Sequence, residues 1–142
     1  MTDRLMAGAA CEDISPPPGV PLAGYPHHPR PNRGLHDPLY AACLYLDDGN
    51  TALVIVTLDI IAISKSNVAM ARKRISDRTG IPEKHIMISC SHSHSAPSAA
   101  SNISMDAVEK GSSAPDDQYT NNVLAAVERV TAEAAEHTFP AT

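Results

Sequence analysis

The segment Ser91-His92-Ser93-His94-Ser95-Ala96-Pro97 follows directly on the apolar run His85-Ile-Met-Ile-Ser-Cys90 and sets two imidazoles two residues apart where a buried strand runs out. Successive side chains of a strand alternate between its faces. His92 and His94 are therefore predicted to share one face, about 7 Å apart, if the extended conformation carries through the motif. That is chelating geometry. Neutral imidazole is the commonest protein ligand for zinc, and the small serines leave room for a metal and for a substrate beside it. The same residues also describe a solvated, serine-rich loop that happens to hold two of the chain's seven histidines, and an HxH match alone does not separate the two readings.

The elements upstream must position this pair. Ala52-Leu-Val-Ile-Val-Thr-Leu58 is nearly continuous in apolar residues, the pattern of a central strand covered on both faces. Ser64 offers an N-cap oxygen, Ile63 and Val68 stand at the spacing of a hydrophobic staple, and Gly80-Ile81-Pro82 stops a helix whose inner stripe is Val68, Ala71 and Ile75. Arg72, Lys73 and Arg74 read as a solvated helix face rather than a phosphate site. Followed by a strand over 85–90, these segments form a βαβ unit with a right-handed crossover and parallel strands. Ligands of such sheets gather outside the carboxyl ends of the strands. Here one end carries Asp59 and the other carries His92 and His94, so these three are the predicted metal ligands. The alternative is that Asp59 caps a turn and the histidines are solvated.

The rest of the chain frames this unit. Residues 5–14 read as a short strand, closed by Ser15-Pro-Pro-Pro-Gly19. Residues 16–38 form a long loop rich in proline and glycine, with His27, His28 and His36 and no hydrophobic periodicity. Loops longer than about 15 residues inside a domain are usually functional, which makes this one a candidate substrate-facing wall or lid. Residues 39–46 and 52–58 flank Asp47-Asp-Gly-Asn50, a strong hairpin signal. A Ser/Ala-rich loop over 98–114 precedes Pro115-Asp116-Asp117, which opens a last helix with Tyr119, Val123, Ala126, Val127, Val130 and Ala134 at helical spacing. The tail from His137 reads as the approach to another element. The predicted fold is α/β, a mixed sheet with a β-hairpin and a βαβ unit flanked by helices, in a single domain over residues 1–142.

Composition narrows the function. The chain is 43% hydrophobic but has no Trp and only Phe139 as phenylalanine, so its core is aliphatic. A net charge of -5 with scattered Lys and Arg lacks the footprint of nucleic-acid binding. No run approaches a membrane span, and the N-terminus lacks the basic and apolar regions of a secretory signal, so the expected location is cytoplasmic. Cys11, Cys43 and Cys90 are odd in number and widely spaced, and are expected to be reduced, buried thiols. No GxSxG elbow, phosphate-binding glycine loop or HExxH is present. The HxH is not followed closely by Asp-His, as a metallo-β-lactamase requires. It also comes too late in the chain for an amidohydrolase barrel of about 250 residues.

Taken together, Gly8-Ala-Ala-Cys-Glu-Asp-Ile-Ser-Pro-Pro17, Pro21-Leu-Ala-Gly-Tyr25, Gly34-Leu-His-Asp-Pro-Leu-Tyr-Ala41, Leu58-Asp59 and His92-Ser-His-Ser-Ala-Pro97 resemble the N-terminal region of the neutral/alkaline (non-lysosomal) ceramidase family. The resemblance runs from about Met6 through the last helix. It implies a zinc-dependent amidase acting on N-acylsphingosine or a related lipid-like N-acyl substrate. The first histidine of the family's His-Thr-His-Ser-Gly-Pro motif is a zinc ligand and falls on His92; the second lies in the active site and falls on His94. Ser93 stands where the family has Thr, and Ala96 where it has Gly. The family's other zinc ligands, a His, a Glu and a Tyr, come from downstream of this motif. The resemblance therefore implies the N-terminal part of a larger catalytic domain, inactive or nearly so by itself.

In the family's site zinc lowers the pKa of bound water towards about 7 and polarises the amide carbonyl. His94 would contact the tetrahedral intermediate or shuttle its proton. His36 and Asp59 are further candidates for lining the site, against a structural role in loop or turn hydrogen bonding. Two other readings stand beside this one: a non-catalytic binding domain of the same fold, and another metal-dependent hydrolase using the HxH pair. Apolar sheet edges left uncovered are expected to favour self-association.

Overall fold

β1 (Met6–Asp13), β2 (Tyr40–Asp47) and β3 (Ala52–Leu58) run antiparallel in sequence order, and β2 and β3 alternate buried and exposed side chains as strands with one covered face do. The computed structural model describes residues 4–25, 28, 30–100 and 117–141. The β2–β3 turn is built on its two aspartates. Asp48 Oδ1 accepts from the amides of Asn50 at 2.9 Å and Thr51 at 2.7 Å, and Asp47 Oδ1 accepts from Gly49 at 2.8 Å. Those amides hold the Asp48 carboxyl below its usual range.

α1 (Lys65–Thr79) begins and ends on the expected signals. Ser64 Oγ accepts from the Asn67 amide at 3.1 Å, and the Gly80 amide donates to Ser76 O at 2.9 Å. After a 3-10 turn (Glu83–His85), β4 (Ile86–Cys90) lies parallel to β3, with Val54 beside Ile86 and Leu58 beside Cys90. α2 (Asp117–Glu136) then crosses the sheet, and β5 (Thr138–Pro140) pairs antiparallel with β1, giving the order β4-β3-β2-β1-β5. The expected mixed α/β sheet with hairpin and βαβ unit is therefore present. The edge strand β5 is an addition, because three residues carry no strand signal until β1 lies beside them. The expected loop over 98–114 lies largely outside the described residues.

The register aligns Tyr45, Val54 and Ile86 across three strands, and likewise Ala41, Leu58 and Cys90. α2 covers this face with Val123, Leu124, Val127 and Val130, and α1, which buries Ala71 and Ile75, packs beside α2. Each fully buried Val, Leu or Ile contributes about 1.5–3 kcal/mol. The helix lies so close to β1 that a Cβ on Gly8 would overlap the carbonyl oxygen of Ala134. At the far end of β1, Glu12 and Arg129 of α2 form a two-bond pair, Nε to Oε2 at 2.9 Å and Nη2 to Oε1 at 2.5 Å. Arg129 holds the Glu12 carboxyl below its usual range.

The opposite face differs from expectation. The continuous apolar run of β3 predicted cover on both faces, yet Leu44, Leu53 and Met87 remain 40%, 40% and 53% exposed there. Among the described residues both helices lie on the other side. Cys11 is likewise exposed rather than buried, whereas Cys43 lies in the core and Cys90 is half buried; burial pushes the Cys43 and Cys90 thiols up. Among the described residues no helix is long and apolar enough to cross a membrane.

Replacing Gly8 by Val should lower stability in urea denaturation by at least about 2 kcal/mol, as expected for overpacking against rigid backbone; an unchanged midpoint would contradict the close approach. The Glu12–Arg129 pair should also be visible in the pH dependence of unfolding. Because the folded-state pKa of Glu12 is lowered from 4.5, the pair's stabilisation is present above that value and lost as pH falls through the lower folded pKa. The stability gap between the native chain and Glu12→Gln should therefore close in acid, and a gap that persists there would contradict it.

Candidate functional site

Parallel pairing brings the carboxyl ends of β3 and β4 to one edge of the sheet, and the chain continues there through Asp59 and Ser91. The Ser91 amide donates to Leu58 O at 2.9 Å, extending the ladder by one bond. Asp59 joins three strand ends: Oδ1 accepts from Ser91 Oγ at 3.0 Å, Oδ2 accepts from the Tyr40 amide at 3.0 Å, and its own amide donates to Tyr40 O at 2.9 Å. This is the turn-bonding alternative for Asp59. The trio of Asp59, His92 and His94 is not assembled as a metal-holding group; among the described residues no three His, Cys, Asp or Glu side chains come together in that way.

The imidazole pair is assembled, though not by strand alternation. β4 ends at Cys90, and His92 turns into the left-handed region with φ 63°, the only such non-glycine residue among those described. That conformation costs about 1–2 kcal/mol in an L-residue. The turn brings the rings of His92 and His94 to a centroid distance of 4.9 Å at 77°, closer than an extended chain would. His92 Nδ1 lies 2.8 Å from Ile61 O. A carbonyl can only accept, so Nδ1 carries a proton, and in the neutral ring the lone pair lies on Nε2 of an exposed side chain. This backbone-held tautomer is the one commonly found for a metal-ligating histidine.

His94 is held from the loop over 16–38. Its ring meets Tyr25 edge to face at 5.4 Å, and a Cβ on Gly24 would overlap the imidazole, so glycine is required there for close approach as well as for its φ of 99°. The Arg30 guanidinium lies 4.0 Å over the Tyr25 ring and donates from Nη2 to the backbone carbonyl of His94. The Ala23 amide donates to Ala96 O at 2.8 Å. On the other side, Asn67 of α1 is buried and donates from Nδ2 to Ala99 O at 3.1 Å, anchoring the end of the motif against the core. Gly24, Tyr25, Arg30 and Asn67 were not among the expected site residues. The positive-φ glycine beside a tyrosine was the available signal; the contacts of Arg30 and Asn67 have no local one.

The long loop is not wholly irregular. Pro21 and Pro31 form an antiparallel bridge, and the Leu22 amide donates to Arg30 O at 2.8 Å. It forms one wall of a cavity of about 430 Å³, with Leu22, Leu35, His36 and Leu39 on the loop side and Ser93 and Ser95 on the motif side. His36 borders this space with a side chain that is 96% exposed, its Nδ1 2.6 Å from Asp37 Oδ2, and does not share the ring contact of the imidazole pair. Of the other loop histidines, His27 lies outside the described residues and His28 is exposed. Burial pushes the Tyr119 phenol up, with the Asp13 and Asp59 carboxylates adding to the effect, so it stays neutral at physiological pH.

No family model and no curated protein matches the sequence. Among solved structures, the fold matches neutral ceramidase from Pseudomonas aeruginosa with a TM-score of 0.82 and 17% identity, over 96% of this chain and 22% of that one. It also matches a structure described as ceramidase complexed with C2, with a TM-score of 0.80 and 16% identity, over the same shares. The chain thus spans 22% of the length of each solved ceramidase chain. What these similarities share with it is the fold: the chain folds as a part of neutral ceramidase does.

Proposed function

We propose that this chain is the metal-binding part of a zinc-dependent amidohydrolase of the neutral/alkaline ceramidase family, acting on the amide bond of N-acylsphingosine or a related N-acyl substrate. The observation that carries the reading is the imidazole pair: His92, with its tautomer set by Ile61 O, and His94 at 4.9 Å, on a fold shared with neutral ceramidase. The donor set suits zinc as far as it goes. His92 would hold the ion through Nε2, with His94 in or beside the coordination shell. A catalytic zinc takes about three protein ligands, so the remainder would come from outside the described residues.

When bound, zinc would lower the pKa of a water towards about 7 and polarise the amide carbonyl. The chain's own residues then have distinct tasks. Ile61 O keeps Nδ1 of His92 protonated and Nε2 available. His94, held between Tyr25 and His92, would contact the tetrahedral intermediate or shuttle its proton. The cavity between Ser93, Ser95 and the loop offers apolar wall from Leu22, Leu35 and Leu39 for part of an amphipathic amide, with the His36–Asp37 pair at its polar side. A second reading stands beside it: a non-catalytic binding domain of the same fold.

Zinc titration of the 142-residue chain by calorimetry should show weak uptake that falls at least tenfold in His92→Ala, the loss typical for a ligand or its immediate partner. Equal uptake by the two proteins would refute the assignment, and no uptake by either would favour the binding-domain reading. Fatty-acid release from N-acylsphingosine should be undetectable for this chain alone, with or without chelator. Robust, chelator-sensitive turnover would instead require a complete site among the residues described here.

A further inference from the structure

We propose that Arg30 is a positioning residue for the imidazole pair, the clamp that fixes His94 against His92. The proposal rests on the metal-site reading above. Four groups stand in series: the Arg30 guanidinium 4.0 Å over the Tyr25 ring, Tyr25 against His94 at 5.4 Å, and His94 against His92 at 4.9 Å. The guanidinium also donates from Nη2 to the carbonyl of His94 itself and, at 3.4 Å, to Ala23 O. One planar cation therefore holds both ends of the contact: the backbone that carries His94 and the aromatic shelf against which its ring rests.

The chemistry favours arginine for this task. A guanidinium can stack on an aromatic face and donate in its own plane at the same time, which a lysine ammonium cannot do with the same geometry. The arrangement also leaves a donor unused. Arg30 Nε is buried and has no acceptor among the described residues. Gly24 fits the same picture, since any side chain there would occupy the space of the imidazole.

The pair's geometry can be read without metal. In the metal-free chain, ring-to-ring nuclear Overhauser cross-peaks should connect Tyr25 with His94 and His94 with His92. Arg30→Met keeps the apolar stem and removes the guanidinium; it should erase both cross-peaks and lower zinc affinity at least tenfold, with a melting temperature close to that of the native chain. Arg30→Lys should recover the cross-peaks only in part. Unchanged cross-peaks in Arg30→Met would overturn the proposal. If that variant loses its dispersed amide spectrum, Arg30→Lys decides: full native intensity overturns the clamp, and weakened intensity supports it. Should the native chain take up no zinc, the metal-site reading falls, while the cross-peaks still report on Arg30.

Discussion

The parallel register of β3 and β4, with Leu58 beside Cys90, fixes the level at which both strands end, and the candidate site hangs from that edge. Parallel strands require a crossover, supplied here by α1, whose Ser64 cap and Gly80 stop set its length. Where the ladder ends, Asp59 and Ser91 close it with side-chain and backbone bonds, and the next residue is the one that adopts φ 63°. The strain at His92 follows from the need to leave the sheet at once while presenting its ring beside that of His94. Such strain persists only where surroundings over-determine it. Ile61 O on one ring, Tyr25 on the other and Asn67 on the chain beyond provide that constraint.

Much of this was legible in the sequence because its signals are local. The Asp-Asp-Gly-Asn turn, the Ser64 cap and the helical stripe of α2 depend on neighbours within a few residues. The spacing of the two histidines predicted a shared strand face with about 7 Å between them, whereas the rings lie 4.9 Å apart. Strand alternation does not reach the motif, and a left-handed turn brings the rings together instead. Asp59 stands at the strand end where it was expected, and its oxygens accept from Ser91 and Tyr40 at the ends of the neighbouring strands.

The parts that were not legible depend on distant partners. Arg30 reaches a carbonyl 64 residues along the chain, and no spacing rule points to it. β5 exists because β1 has a free edge. The uncovered face of Leu44, Leu53 and Met87 is the clearest case, since an apolar run says that a strand is to be covered and not by what.

The central claim is that His92 presents an unprotonated Nε2 to a metal because Nδ1–H donates to Ile61 O. Long-range proton–nitrogen correlation spectra of the imidazoles in the 142-residue chain test it directly. His92 is expected as the Nδ1–H tautomer, with its Nε2 resonance, and not Nδ1, moving on addition of zinc. An Nε2–H tautomer, or an Nε2 signal indifferent to zinc, would contradict the account.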